Sequence, residues 1–357
     1  MDRRRNLGSL NRAERVERSR RKTAPPYLLD EGLTFYCPQE NLESLRHPVV
    51  AAFHRHVLER YRPPRLSGRA VLLILPCTRV KPYILSPEHL AINAYLDGLG
   101  FRPVARTRRP ADLALPEGVA ERLLEVSPLR KGTRCLHRMV ISEPMGLVPY
   151  EYLYYFNGGL SPVSRYDDPG LFERRRNAVC PWRKDSTAAW RRGGYAWGPG
   201  ERRAYVLYHN ALVERMTRAL LRLRPRYERF IAYVSPKLTH RSFLTSREEK
   251  RADGIAPSRR AGGETLGLIG VNDLAPGLVE VAPGAEEIVE ARARLARRLR
   301  GAGVPAAESA VRAHFARGGG AGTPLTLPEV LDALGRRLAP GKSRPIAEEN
   351  THWLMRT

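Results

Sequence analysis

The chain has 357 residues, 42% of them hydrophobic, which is enough for a buried core, and 61 Lys and Arg against 37 Asp and Glu give a net charge of +24. No apolar run approaches the roughly 20 residues a membrane span needs, and no apolar stretch follows the basic opening Met1-Asp2-Arg3-Arg4-Arg5. The sequence therefore reads as cytoplasmic, without membrane helix or signal peptide. The cationic excess points to an anionic partner, nucleic acid being the usual one. Cys37, Cys77, Cys135 and Cys180 follow no zinc spacing, so neither a metal nor another cofactor is expected.

Along the chain, residues 1–35 read as a basic arm. The first 22 carry nine Lys and Arg against three acids, with few apolar residues, and are expected to be solvated. From 36 to 240 the pattern is that of an α/β core. Val49, Val50, Phe53, Val57, Leu58 and Tyr61 recur at helical spacing until Pro63-Pro64. Val71 to Leu75 reads as a strand buried on both faces. Ser86-Pro87-Glu88 opens a helix with a capping side chain, a proline at the first position and an early acid; that helix runs to Gly98 or Gly100. Further strands are expected at Arg138–Ile141, Ala204–Tyr208 and Arg229–Val234, with an amphipathic helix at Ala211–Leu223. The alternation predicts a three-layer fold with a mostly parallel sheet of about four strands. Residues 241–263 hold Gly, Pro, Ser and six Lys and Arg against three acids, and read as a basic linker or loop. Residues 264–357 read as a small, mainly helical appendage with helices at Ala285–Arg300, Ala306–Arg317 and Leu327–Leu338.

Chemistry concentrates between Pro76 and His89. Cys77 follows a buried strand, and ligands of open α/β sheets bind outside the carboxyl ends of their strands. Lys81 stands four residues on, in a loop stiffened by Pro76 and Pro82. A nearby ammonium favours thiolate over thiol. His89 falls in the first turn of the next helix, whose positive end favours a neutral imidazole. Tyr83 is open to a core or a site role, and Ser86 reads first as a helix cap.

These residues form the pattern Pro-Cys-x3-Lys-Pro-Tyr-x2-Ser-x2-His, which resembles the signature of the archaeosine synthase catalytic domain at all seven fixed positions. Two further stretches are similar to that family. One is Ile141-Ser142-Glu143-Pro144-Met145-Gly146-Leu147-Val148-Pro149. The other is Arg165-Tyr166-Asp167-Asp168, where Arg165 replaces a histidine. The segment from His47-Pro48 to Pro63-Pro64 is similar too, so the resemblance spans about residues 36–235. It implies a uracil-DNA-glycosylase-like core acting on tRNA that carries 7-cyano-7-deazaguanine in the D-loop. The nitrile would become an amidine, in some members by addition of free lysine, with a partner radical enzyme cleaving the adduct. It also implies catalytic roles for Cys77, Lys81, Tyr83, Ser86 and His89, and substrate contacts from Pro76, Ser142, Glu143, Pro144, Gly146, Asp167 and Asp168. The latter two suit a substrate ammonium, or equally a turn. The transglycosylase-like and PUA domains common in the family are not recognisable, and a separate transglycosylase would be a partner.

Residues 169–203 carry nine Lys and Arg against three acids and three of the four tryptophans. Arg174, Arg175, Arg176, Trp182, Trp190, Arg191, Arg192 and Trp197 would suit unstacked RNA, through stacking and phosphate pairing. The tryptophans would equally suit the core of a long insertion. Two other functions fit the same sequence: a base-glycosylase-type enzyme, and a non-catalytic tRNA-binding subunit.

Overall fold

The computed structural model describes residues 10–65, 68–171, 178–191, 194–236, 239–318 and 322–339. The chain opens with helices α1 (Arg12–Arg20), α2 (Pro38–Ser44) and α3 (Pro48–Arg55), the last continued by a wider turn over His56–Arg60. Strand β1 (Arg69–Pro76) leads to α4 (Pro87–Gly98), followed by β2 (Arg102–Pro103), β3 (Leu129–Lys131), β4 (Arg134–Ser142) and β5 (Gly146–Pro149). Two short hairpins, β6 (Tyr155–Phe156) with β7 (Gly159–Leu160) and β8 (Ala189–Arg191) with β9 (Gly194–Ala196), precede the long helix α5 (Pro199–Leu223). Then come β10 (Arg229–Tyr233), α6 (Thr239–Leu244), α7 (Arg247–Ala252), the hairpin β11 (Ser258–Ala261) with β12 (Glu264–Gly267), α8 (Val271–Leu274) and β13 (Glu280–Ala282). Helices α9 (Ala285–Gly301), α10 (Glu308–Arg317) and α11 (Pro328–Leu338) follow.

The main sheet has seven strands in the order β13-β10-β1-β4-β3-β2, with β5 also on β4. Strands β13, β10, β1 and β4 run parallel; β2, β3 and β5 add antiparallel edges. Leu72, Leu73, Ile74 and Leu75 of β1 are all fully buried. Successive strand residues face opposite sides, so both faces of the sheet are covered. Each such side chain contributes about 1.5–3 kcal/mol of burial. The chain order of the parallel strands reverses between β1 and β10, because β1 connects to β4 on one side and β10 returns on the other. That reversal is where open α/β sheets bind their ligands.

Several expectations change. Ala204–Tyr208 is not a strand but part of α5. Its five apolar residues resemble a buried strand, yet Leu207 is 49% exposed while Tyr205, Val206, Tyr208 and His209 are buried, which is a helical face. Residues 241–263 carry α6, α7 and β11 rather than a loop. The sheet has more strands than four and takes its edge strand β13 from beyond residue 264. From Leu10 on, the N-terminal arm packs against the rest of the chain instead of standing free in solvent. An Asn11–Glu14 capping box starts α1, Arg15, Val16 and Ser19 are buried, and the Arg15 guanidinium donates to the Val179 carbonyl at 2.7 Å.

Candidate active site

Cys77, Glu143 and His240 emerge from the carboxyl ends of three adjacent parallel strands, β1, β4 and β10. Pro76 is in register with Ile141, and the Cys77 amide donates to the Ile141 carbonyl at 2.9 Å, which carries the parallel ladder one residue past the strand. Cys77 Sγ lies 3.2 Å from His240 Nε2 and 3.5 Å from Glu143 Oε2, and the latter two atoms are 3.3 Å apart. His240 sits in the first turn of α6 and is 6% exposed; Glu143 is 5% exposed. Helix α6 is held by the buried pair Arg241–Asp253, at 2.5 Å, and by the Arg241 guanidinium on the Pro283 carbonyl at 2.9 Å.

Burial disfavours an imidazolium, but the Glu143 carboxylate and then the Cys77 sulfur outweigh it and hold His240 well above the ordinary histidine range. Burial likewise pushes Glu143 up, and His240 more than reverses that, leaving the carboxyl below its usual range. The pair is therefore an imidazolium–carboxylate at neutral pH. Burial raises the Cys77 thiol, and the Glu143 carboxylate adds to that; His240 opposes them first and Lys81 only weakly. The expected lowering by Lys81 is thus a minor effect. The Lys81 ammonium is buried over the Tyr166 ring, 4.4 Å from its centroid, and donates at most a long 3.5 Å bond to the Thr78 carbonyl.

The rest of the motif builds the frame. Tyr83, Ser142 and Tyr166 form a closed hydroxyl triangle, with Tyr83–Ser142 at 2.9 Å and Ser142–Tyr166 at 2.5 Å. Ser86 caps α4 by accepting from the His89 amide at 3.2 Å. His89 is fully buried: Nε2 donates to the Pro76 carbonyl at 2.9 Å and Nδ1 accepts from the Tyr150 hydroxyl at 2.7 Å. With both nitrogens engaged it clamps the strand end instead of facing Cys77. Burial pushes it down to about 4, so it is neutral for a reason other than the helix end alone. Pro144 and Gly146 turn β4 into β5. Gly146 has φ +72° and lies against His54, whose Nε2 donates to the Pro144 carbonyl at 2.8 Å.

Asp167 is committed to structure, accepting from Ser19 at 2.6 Å and pairing with Lys22. Asp168 accepts from Asn41 Nδ2 at 2.9 Å and from the Gly170 amide at 3.1 Å through Oδ1, while its buried Oδ2 has no partner. Neither is a plain turn residue. The arm reaches the motif directly: the Lys81 amide donates to the Lys22 carbonyl at 2.9 Å, and the Ala24 amide to the Lys81 carbonyl at 2.8 Å. Lys22, Arg79 and Lys81 consequently share one electrostatic neighbourhood beside Cys77.

Trp197 is 5% exposed and donates to the Ala178 carbonyl, so it anchors the core rather than offering a stacking face. Trp190 is 55% exposed on β8, with exposed Arg191 after it. Trp182 is 45% exposed, with the Arg15 guanidinium 4.7 Å from its ring centroid. Arg174, Arg175, Arg176 and Arg192 lie outside the described residues. Among the described residues two clusters have ligand-type atoms within 4.8 Å of one another, Cys77-Glu143-His240 and Cys37-Glu40-Cys180. Arg15 faces the second and opposes a cation there. No helix among them is long and apolar enough to cross a membrane.

Sequence reasoning missed His240. It stands just past the fourth strand recognised in the sequence, on the side of the β1–β10 reversal, and that position was the available signal. No family model matches the chain and no solved structure matches it. Two curated relatives are named archaeosine synthase subunit alpha. The protein from Thermococcus kodakarensis is 29% identical over 110 residues, 30% of this chain and 14% of its own length. That from Methanosarcina acetivorans is 28% identical over 125 residues, 35% of this chain and 13% of its own. The matches thus span a small part of either relative, and the two share with the motif the same family name.

Proposed function

We propose that this chain is a tRNA-modifying enzyme of archaeosine biosynthesis. It adds an amine, expected to be free lysine, to the nitrile of 7-cyano-7-deazaguanine in the D-loop and forms an amidine. The observation that carries the reading is the contact of Cys77 with an imidazolium–carboxylate pair at the reversal point of the sheet. The Cys77 thiol passes its proton to Glu143 Oε2, to which it already donates, as the sulfur bonds the nitrile carbon and the His240 imidazolium gives its proton to the nitrile nitrogen, leaving a thioimidate, a neutral imidazole and a protonated Glu143. The amine then adds to the same carbon. Its proton passes to His240 as the carbon–sulfur bond breaks and Glu143 returns its proton to the departing sulfur, which restores thiol, carboxylate and imidazolium.

In this reading His240 takes the acid–base role expected of His89, and Glu143 orients and charges it. Tyr83, Ser86, Ser142 and His89 position the nucleophile. Arg79, exposed beside the motif, would receive a backbone phosphate, and Trp190 with Arg191 would extend the tRNA contact. The core is of the uracil-DNA-glycosylase kind, a kinship supported by its four parallel strands and the site at their carboxyl ends. A transglycosylase would supply the nitrile base, and a radical enzyme would cleave a lysine adduct. A base-glycosylase activity is disfavoured because Glu143, the acid nearest Cys77, is engaged by His240 rather than open to water. The test is mass spectrometry of nucleosides from nitrile-bearing tRNA incubated with the protein and labelled lysine. Labelled amidine supports the reading; unchanged nitrile, or release of a base from uracil-containing DNA, contradicts it.

A further inference from the structure

Four polar atoms on Glu143 and on residues linked to it are buried without a hydrogen-bond partner: Glu143 Oε1, Asp168 Oδ2, Tyr208 Oη and Asn41 Oδ1. Glu143 is 5% exposed, and Tyr208 and Asn41 are fully buried. Orphaned buried groups cost free energy and call for an explanation. They belong together. Tyr208 of α5 is electrostatically coupled to Asp168, Glu143 and Cys77, and Asp168 to Glu143. Asn41 and the Gly170 amide fix Asp168 through Oδ1 and leave Oδ2 free. The neighbouring Asp167, by contrast, is filled by Ser19 and Lys22.

Three of these four atoms can only accept when the acids are charged, and the fourth is a hydroxyl that does either. A ligand with several N–H donors completes them all and draws Asp168 into its charged form. Glu143 contacts Cys77 through Oε2 and offers Oε1 to this cluster. Glu143 thus belongs both to this cluster and to the Cys77 contact. We infer that Asp168, Tyr208 and Glu143 form a recognition subsite for the donor edge of a guanine-type ring, its ring N–H and exocyclic amine, with the ring's substituent directed at Cys77. The inference rests on the nitrile-base reading above for the identity of that substituent. Burial and then Glu143 push Asp168 well above the usual carboxyl range, and donors from a ligand would draw it back.

The test is titration calorimetry of the full chain with the nucleoside of 7-cyano-7-deazaguanine and with its analogue lacking the exocyclic amine. The wild type should bind the first at least about tenfold more tightly, the discrimination typical of a bidentate contact to a base edge. Asp168→Asn should bring that ratio close to one. Tyr208→Phe removes a hydroxyl that holds no protein partner, so it spares the fold and should weaken binding by about tenfold. Equal affinity for the two nucleosides, or no binding of either at about 1 mM, overturns the inference. So does an Asp168→Asn variant that keeps the ratio and instead raises the KM for the amine, because the subsite would then hold the amine's ammonium. Turnover of nitrile-bearing tRNA without discrimination would reject the subsite alone. Discrimination without turnover or adduct would reject the nitrile chemistry alone.

Discussion

Replacing His240 by Asn tests the electrostatics of the site. The imidazolium is 3.2 Å from Cys77 Sγ, and at an effective dielectric of about 20 that is roughly 5 kcal/mol of gross thiolate stabilisation. Glu143 at 3.5 Å opposes it by nearly as much, so the pair together leaves the sulfur close to neutral surroundings. Without the imidazolium, the thiolate faces the carboxylate alone. Protonation of Glu143 and solvent relaxation absorb about half of the loss, which leaves roughly 2–3 kcal/mol, or about two pKa units. Alkylation of Cys77 by iodoacetamide, followed against pH by intact mass, reads this directly, because Cys37, Cys135 and Cys180 are 0–1% exposed. The midpoint should rise by about two units in His240→Asn, and activity at neutral pH should fall about 100- to 1000-fold. Lys81→Met should move it far less, since Lys81 acts on the thiol much more weakly than His240. An unchanged alkylation profile in His240→Asn would refute the reasoning.

Three other outcomes follow from the same geometry. Asp253→Ala strands the 4%-exposed Arg241 and should cost about 3–5 kcal/mol in chemical denaturation, with loss of activity as α6 and His240 shift; a cost below about 1 kcal/mol would contradict it. Burial pushes His54, His89 and His137 down to about 4 and His209 to about 3. The folded state then refuses protons that the unfolded chain takes near pH 6.5, so stability is full above that pH and falls toward pH 4. The loss is up to about 3 kcal/mol per histidine, read as a declining melting temperature, and a flat profile would contradict it. Arg79→Ala should weaken tRNA binding and reduce its salt slope by about one, while Trp190→Ala should weaken binding with the slope unchanged, as for a stacking contact. Unaltered affinity in both variants would move the RNA contact elsewhere.

The strands carrying Cys77 and Glu143 were legible because Leu72–Leu75 and Arg138–Ile141 are continuous buried runs bounded by proline-containing turns. The cap at Ser86 was legible from its own side chain and Pro87. The antiparallel edges β2, β3 and β5 and the edge strand β13 are two to four residues long and present no periodicity. In α5, the run Ala204–Tyr208 mimics a strand, and only the length of the helix, 25 residues, resolves the ambiguity. His240 had no local motif: its place beside Cys77 depends on β10 lying next to β1, a tertiary fact. The same holds for the N-terminal arm, whose charge suggested solvent although Lys22 and Arg15 are held by Asp167 and the Val179 carbonyl.

The most direct test of the central claim is the intact mass of the protein after incubation with nitrile-bearing tRNA in the absence of any amine, followed by nuclease digestion. A thioimidate adduct on Cys77, absent in Cys77→Ser and discharged when lysine is added, is the predicted result. An unmodified protein, under conditions where the complete mixture turns over, would contradict nucleophilic catalysis by Cys77.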